Sequence, residues 1–134
     1  HLHKGKSDAD LAGHLLALAD TAEPGSLTFA NFVEFDSVYG HRRDVAGYAS
    51  ALEWFDGVAG ALIARLRPGD LAIFTADHGN DPTWSGTDHT RERVPELGWG
   101  YGLRGIGQVG FADIAASVAA HLDLPSFGPG RSFL

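Results

Sequence analysis

No cysteine occurs anywhere in the chain. That excludes a disulfide framework and any thiolate metal site, so metal ligands here must be nitrogen and oxygen donors. Methionine is missing too, even at the start, and the chain opens His1-Leu2-His3-Lys4-Gly5-Lys6. This reads as a piece cut from something longer, with His1 and His3 either purification remnants or a natural junction. No basic block relieves a net charge of −7, which argues against nucleic acid as the main partner. No apolar run approaches a membrane span and no signal peptide is visible, so no membrane partner is expected and a cytoplasmic setting is the default. Internal repeats and low-complexity segments are absent as well. What remains is the composition of a soluble globular domain, with 44% hydrophobic and 20% charged residues. At 134 residues the chain is one domain's worth, long enough for a single core.

The chemistry concentrates in one stretch, Ala76-Asp77-His78-Gly79-Asn80-Asp81-Pro82-Thr83-Trp84-Ser85-Gly86-Thr87-Asp88-His89-Thr90-Arg91. It follows an apolar run over residues 70–75, bounded by Pro68-Gly69, that reads as a buried strand. An Asp-His pair is thus delivered to the carboxyl end of a core strand, where open α/β sheets bind ligands. A long polar loop then brings back a second pair, Asp88-His89. Asp81-Pro82 and Ser85-Gly86 also suit ordinary turns. Two imidazoles among several carboxylates suit a divalent metal better, because borderline cations accept N and O ligands together.

A second loop repeats the pattern. Residues 27–35 are rich in β-formers and read as a buried strand ending at Asp36, and His41 follows five positions later. Gly40 gives that loop freedom to turn both side chains towards one ion. Asp44 can cap the next helix, whose apolar positions Val45, Tyr48, Leu52, Phe55, Ala59, Leu62, Ile63 and Leu66 keep a helical rhythm. Strand, helix of about twenty residues, strand is a right-handed βαβ unit with parallel neighbours. Both strands then present their carboxyl ends on one side, where Asp36, His41, Asp77 and His78 can converge.

The remaining elements frame these loops. Ser7 with Asp10 signals the start of an amphipathic helix over 8–22, ended by Glu23-Pro24-Gly25-Ser26. Residues 94–103 read as a weak strand diluted by Gly98, Gly100 and Gly102. A last helix, 111–122, starts near Gly110, and the tail's apolar end, Phe133-Leu134, is expected to dock back on the body. The expected class is α/β.

Asn31-Phe32-Val33-Glu34-Phe35-Asp36 and Tyr39-Gly40-His41-Arg42-Arg43-Asp44 with Gly47-Tyr48 resemble the phosphopentomutase family. So do Thr75-Ala76-Asp77-His78-Gly79-Asn80-Asp81-Pro82-Thr83 and Gly86-Thr87-Asp88-His89-Thr90-Arg91-Glu92, with Phe111-Ala112-Asp113-Ile114 and the closing Ser132-Phe133-Leu134. The resemblance runs from Lys6 onward. It implies a parallel-sheet sandwich of the alkaline-phosphatase-like type, of which residues 1–134 are the carboxyl-terminal part of the metal-binding core. It also implies a dimanganese enzyme, zinc or another divalent metal not being excluded by these ligands, that interconverts ribose (or deoxyribose) 1-phosphate and 5-phosphate through a phosphothreonine and a bisphosphate. By motif, Asp36, His41 and His89 would hold one metal, and Asp77 and His78 the other. A further aspartate, the threonine nucleophile and the sugar-contacting cap domain would belong to the rest of the enzyme. Asp88 either orients His89 or caps the loop. Arg42, Arg43 and Arg91 are candidates to meet phosphate, Arg43 more readily pairing with Asp44 or Glu92. Val94-Pro95-Glu96-Leu97-Gly98-Trp99-Gly100-Tyr101 departs from the apolar strand usual in the family. Two other readings stand: another phosphomutase or phosphodiesterase of the superfamily, which would share Asp77-His78-Gly79 but not Gly40-His41-Arg42-Arg43-Asp44, and a non-catalytic metal-binding fragment.

Overall fold

The computed structural model describes every residue except Ser126. Its elements run, in chain order, α1 (Asp8–Thr21), a π-helical turn (Phe35–Gly40), α2 (Val45–Ile63), β1 (Ala72–Thr75), β2 (Glu96–Trp99) and α3 (Phe111–His121). α1 begins as its sequence signals dictate. Ser7 Oγ accepts from the Asp10 amide at 3.2 Å, while Asp10 Oδ2 accepts from the Lys6 amide at 2.8 Å. Two of the amides that a helix start leaves without partners are satisfied this way. α2 is capped by Asp44, whose Oδ1 accepts from the Gly47 amide at 2.9 Å.

Residues 27–33 are not a strand. Among the described residues the single sheet has two strands, and β1 pairs with β2 antiparallel, Ala72 opposite Trp99 and Thr75 opposite Glu96. The expected parallel pairing across a βαβ unit is therefore not present. The reason is that β-forming composition specifies an extended backbone, whereas a strand also needs a neighbour to complete its ladder. Leu27 and Phe29 instead face solvent, Phe29 being 86% exposed. The last amides of the segment find a side chain: Val33 and Glu34 donate to the two carboxylate oxygens of Asp8, each at 3.0 Å. Burial pushes the Asp8 carboxyl above its ordinary range, against those two donors. Beyond it the chain coils into the π-helical turn, closed by the His41 amide donating to Asp36 O at 2.9 Å. Single π turns of this kind recur at functional sites.

The common side expected for the two loops survives the missing pairing. Phe55 of α2 meets Phe32 at 5.1 Å and Phe35 at 5.8 Å between ring centroids, and Phe74 of β1 at 6.2 Å, all edge-on. Edge-to-face packing at these separations is favourable beyond area burial alone. One helix side chain thus gathers the end of the extended segment and the end of β1.

β2 is shorter than the 94–103 expected. Gly100 leaves it at φ 123°, and a Cβ there would lie 2.2 Å from Asp70 O, so only glycine permits the close return to the start of β1. α3 carries the tail as anticipated. Asp113 Oδ2 accepts from the Gly110 amide and Oδ1 from the Arg131 amide, both at 2.8 Å. Ser117, fully buried, donates to Asp113 O at 2.8 Å and accepts from the Phe133 amide at 3.0 Å. The most deeply buried apolar residues are small or isolated: Ala12, Leu62, Ala72, Ala116 and Ala119. Such a core is that of a partial domain.

Candidate metal centre

Two loops build the centre. The loop after β1 is pinched at its base by the Thr90 amide donating to Gly79 O at 3.1 Å and by the Asp81 amide donating to Thr90 Oγ1 at 2.6 Å. This pinch returns His89 to the neighbourhood of His78, and the two rings stack with centroids 3.8 Å apart. Asp81 serves the turn: its carboxylate accepts from the Thr83 hydroxyl and amide, which hold it below the usual carboxylate range. The other loop is the π-helical turn, which presents Asp36, with His41 following directly.

Asp36, His41 and His89 meet at their polar tips. His41 Nε2 lies 3.3 Å from Asp36 Oδ2, His89 Nε2 lies 3.3 Å from Asp36 Oδ1, and the two Nε2 atoms are 3.1 Å apart. His41 Nδ1 is 2.6 Å from Thr87 O. A carbonyl only accepts, so Nδ1 is the donor there and Nε2 is the ring nitrogen turned towards Asp36 and His89. Imidazole nitrogens and carboxylate oxygens that converge in this way form a donor set suited to a divalent cation. The spacing fits one: donors bound at ~2.1 Å stand ~3.0 Å apart at octahedral angles and ~3.4 Å at tetrahedral ones.

His78 is prepared in the same way. Its Nδ1 lies 3.2 Å from Gly79 O, leaving Nε2 to face Asp77 Oδ1 at 3.7 Å. One ligand atom each from Asp36, His78 and His89 lies within 4.8 Å of the others. Asp77 is the outlying member, with its side chain 83% exposed. Carbonyl partners that fix imidazole tautomers are typical outer supports of metal ligands.

The other candidates are placed less centrally. The Asp88 carboxylate makes no hydrogen bond among the described residues, and its carbonyl accepts from Arg43 at 2.6 Å. Arg42 and Arg91 are exposed. Arg43 pairs with neither Asp44 nor Glu92. Its guanidinium reaches into the metal loop, where Asn80 in turn donates to Asp36. The roles found for Asn80, Arg43 and Asp8 were not legible in the sequence, where Arg43 was expected to meet phosphate or pair with Asp44 or Glu92, because each acts on residues far along the chain. Gly40 was legible for a different reason than the one found. A Cβ there would sit 2.5 Å from Asn80 Nδ2, so a side chain at this position would displace the Asn80 amide. Burial, and then the charge of Asp36, push the Tyr48 hydroxyl above its ordinary value.

Residues 2–126 match the family described as the Metalloenzyme superfamily. Among curated proteins, the chain is 54% identical to a phosphopentomutase of Rhizobium leguminosarum bv. trifolii (strain WSM2304), an alignment covering 99% of the chain and 34% of that protein. It is 57% identical to a phosphopentomutase of Methylobacterium sp. (strain 4-46), covering 100% of the chain and 35% of that protein. Against the phosphopentomutase of Agrobacterium fabrum (strain C58 / ATCC 33970) the identity is 52%, over 98% of the chain and 33% of the relative. The chain spans about a third of the length of the curated relatives it matches.

Proposed function

This chain belongs to the Metalloenzyme superfamily, and from that premise we propose that it is the carboxyl-terminal part of the metal-binding core of a phosphopentomutase. The reaction is the interconversion of ribose or deoxyribose 1-phosphate and 5-phosphate. The observation that carries the reading is the meeting of Asp36, His41 and His89 at 3.1–3.3 Å, with Nε2 of His41 turned to the other two by the carbonyl partner of its Nδ1. These three residues would hold one divalent ion, and Asp77 and His78 would contribute to a second; nitrogen and oxygen donors of this kind suit manganese, and zinc as well. When bound, the ions would supply positive charge to the oxygens of a phosphoryl group in transfer. The residues of this chain orient and hold. Thr87 O and Gly79 O fix the two imidazoles, and Asp36 joins the π-helical turn to the loop after β1. Arg42 and Arg91, exposed and without a side-chain partner among the described residues, would meet the phosphate of the substrate.

On this reading the threonine that carries the phosphoryl group, a further metal-binding aspartate and the cap domain reside in an amino-terminal remainder of the same enzyme. The bisphosphate intermediate belongs to that complete protein. The setting is cytoplasmic, with neither nucleic acid nor membrane as partner; no helix among the described residues is long and apolar enough to cross a membrane.

The test is to incubate the full-length gene product with Mn2+ and ribose 1-phosphate and follow the products by phosphorus NMR. Appearance of ribose 5-phosphate supports the proposal. Release of inorganic phosphate alone would assign the protein to another phosphoryl-transfer class of the superfamily. The isolated chain, lacking the threonine, is expected to bind Mn2+ without turnover.

A further inference from the structure

We infer that Arg43 and Asn80 are positioning residues of the metal centre, acting as one hydrogen-bonded relay that sets the Asp36 carboxylate and fastens together the two loops that carry the ligands. This rests on the metal reading proposed above. The Arg43 guanidinium donates to the carbonyl oxygens of Gly40 (3.1 Å), Asp81 (2.7 Å), Asp88 (2.6 Å) and Gly86. Gly40 closes the turn that bears Asp36, and the other three lie in the loop that returns His89. A fifth contact, at 2.6 Å, runs from Arg43 Nη1 to Asn80 Oδ1. Asn80 Nδ2 then donates to Asp36 Oδ1, also at 2.6 Å.

The direction of the relay is fixed by chemistry. A guanidinium can only donate and a carboxylate can only accept, so the Asn80 amide between them has one satisfactory orientation. It converts a cation's donor into a donor for an anion. The partner it offers Asp36 fixes the plane of the carboxylate whose oxygens face His41 and His89. Two further observations point the same way. Asn80 is 9% exposed, and the backbone beneath it has no room for a Cβ at Gly40. Arg43 holds φ 56°, a left-handed conformation that non-glycine residues rarely adopt. Strain of this kind persists where surrounding contacts determine it, and here those contacts converge on the centre.

The test is a Mn2+ titration of the full-length gene product, followed by the EPR signal of free Mn2+, with circular dichroism of each metal-free protein. A wild type that takes up no Mn2+ would defeat the metal-centre reading itself. Given wild-type binding, Asn80→Ala is expected to weaken Mn2+ by about 10- to 100-fold, as loss of an outer partner does, with the metal-free spectrum unchanged. Gly40→Ala, which keeps Asn80 but drives its amide from Asp36, is expected to weaken binding likewise. Arg43→Lys keeps the charge without the fork. It is expected to weaken binding too, and adding Asn80→Ala to it should cost little more, as for members of one network. Wild-type affinity in Asn80→Ala overturns the inference, and so does full additivity in the double variant. If Asn80→Ala loses its metal-free fold, Gly40→Ala decides by the same criterion. Unfolding of both assigns the relay to stability alone and also overturns it.

Discussion

His89 sits between two other imidazoles, 4.8 Å from the ring of His41 and 3.8 Å from that of His78. Removing it should open both halves of the centre at once. His89→Ala is expected to reduce Mn2+ affinity of the full-length gene product by more than about 100-fold, beyond the loss typical of outer partners, read by EPR titration. Asp8 acts at the other end of the same support. Its buried carboxylate satisfies the amides of Val33 and Glu34, two residues before Asp36. Asp8→Ala strands two partly buried donors, so destabilisation of about 1–3 kcal/mol is expected in chemical denaturation. Asp36, His41, His78 and His89 were legible as a group because two loops carrying Asp and His together suit a nitrogen and oxygen donor set, although the strand expected before Asp36 does not form. Asp8 was not, because the first turn of a helix favours an acidic residue whether or not it also reaches 25 positions onward.

The three helices were legible as elements for a local reason. Ser7, Asp44 and the apolar rhythm act within a few residues of themselves, and a helix satisfies its own backbone. Residues 27–35 were misread because a strand is not self-sufficient, and β2 ended early because Gly100 turns the chain against Asp70. α3 yields a pH dependence. The amide of Arg131, and then that of Gly110, hold the Asp113 carboxyl below its ordinary range. The folded chain therefore binds this proton less readily than the unfolded chain does. The stabilising contribution is present above the ordinary aspartate value of ~3.9 and is lost as pH falls through the lower folded value. Hydrogen exchange at the Arg131 amide should accelerate relative to intrinsic rates across that acidic window, and Asp113→Asn should show the faster exchange already at neutral pH.

At the scale of the whole molecule, apolar surface outruns core. Leu27, Phe29, Val33, Leu97, Trp99 and Leu103 are exposed, while the deepest burial falls mostly on alanines. Unpaired extended backbone beside such a surface invites association. The isolated chain is expected to bind a hydrophobic dye and to self-associate at micromolar concentration, and the full-length gene product to do neither, as light scattering and dye fluorescence would record. The centre itself depends on two loops brought together by α2 and closed by Arg43, an arrangement for which the individual motifs gave no distances. The most direct measurement of that arrangement is an anomalous difference map from crystals of the full-length gene product grown with Mn2+. The expected result is a peak ligated by the Asp36 carboxylate and by Nε2 of His41 and of His89. A map with no peak among those three atoms, or with His41 coordinating through Nδ1, would contradict the account.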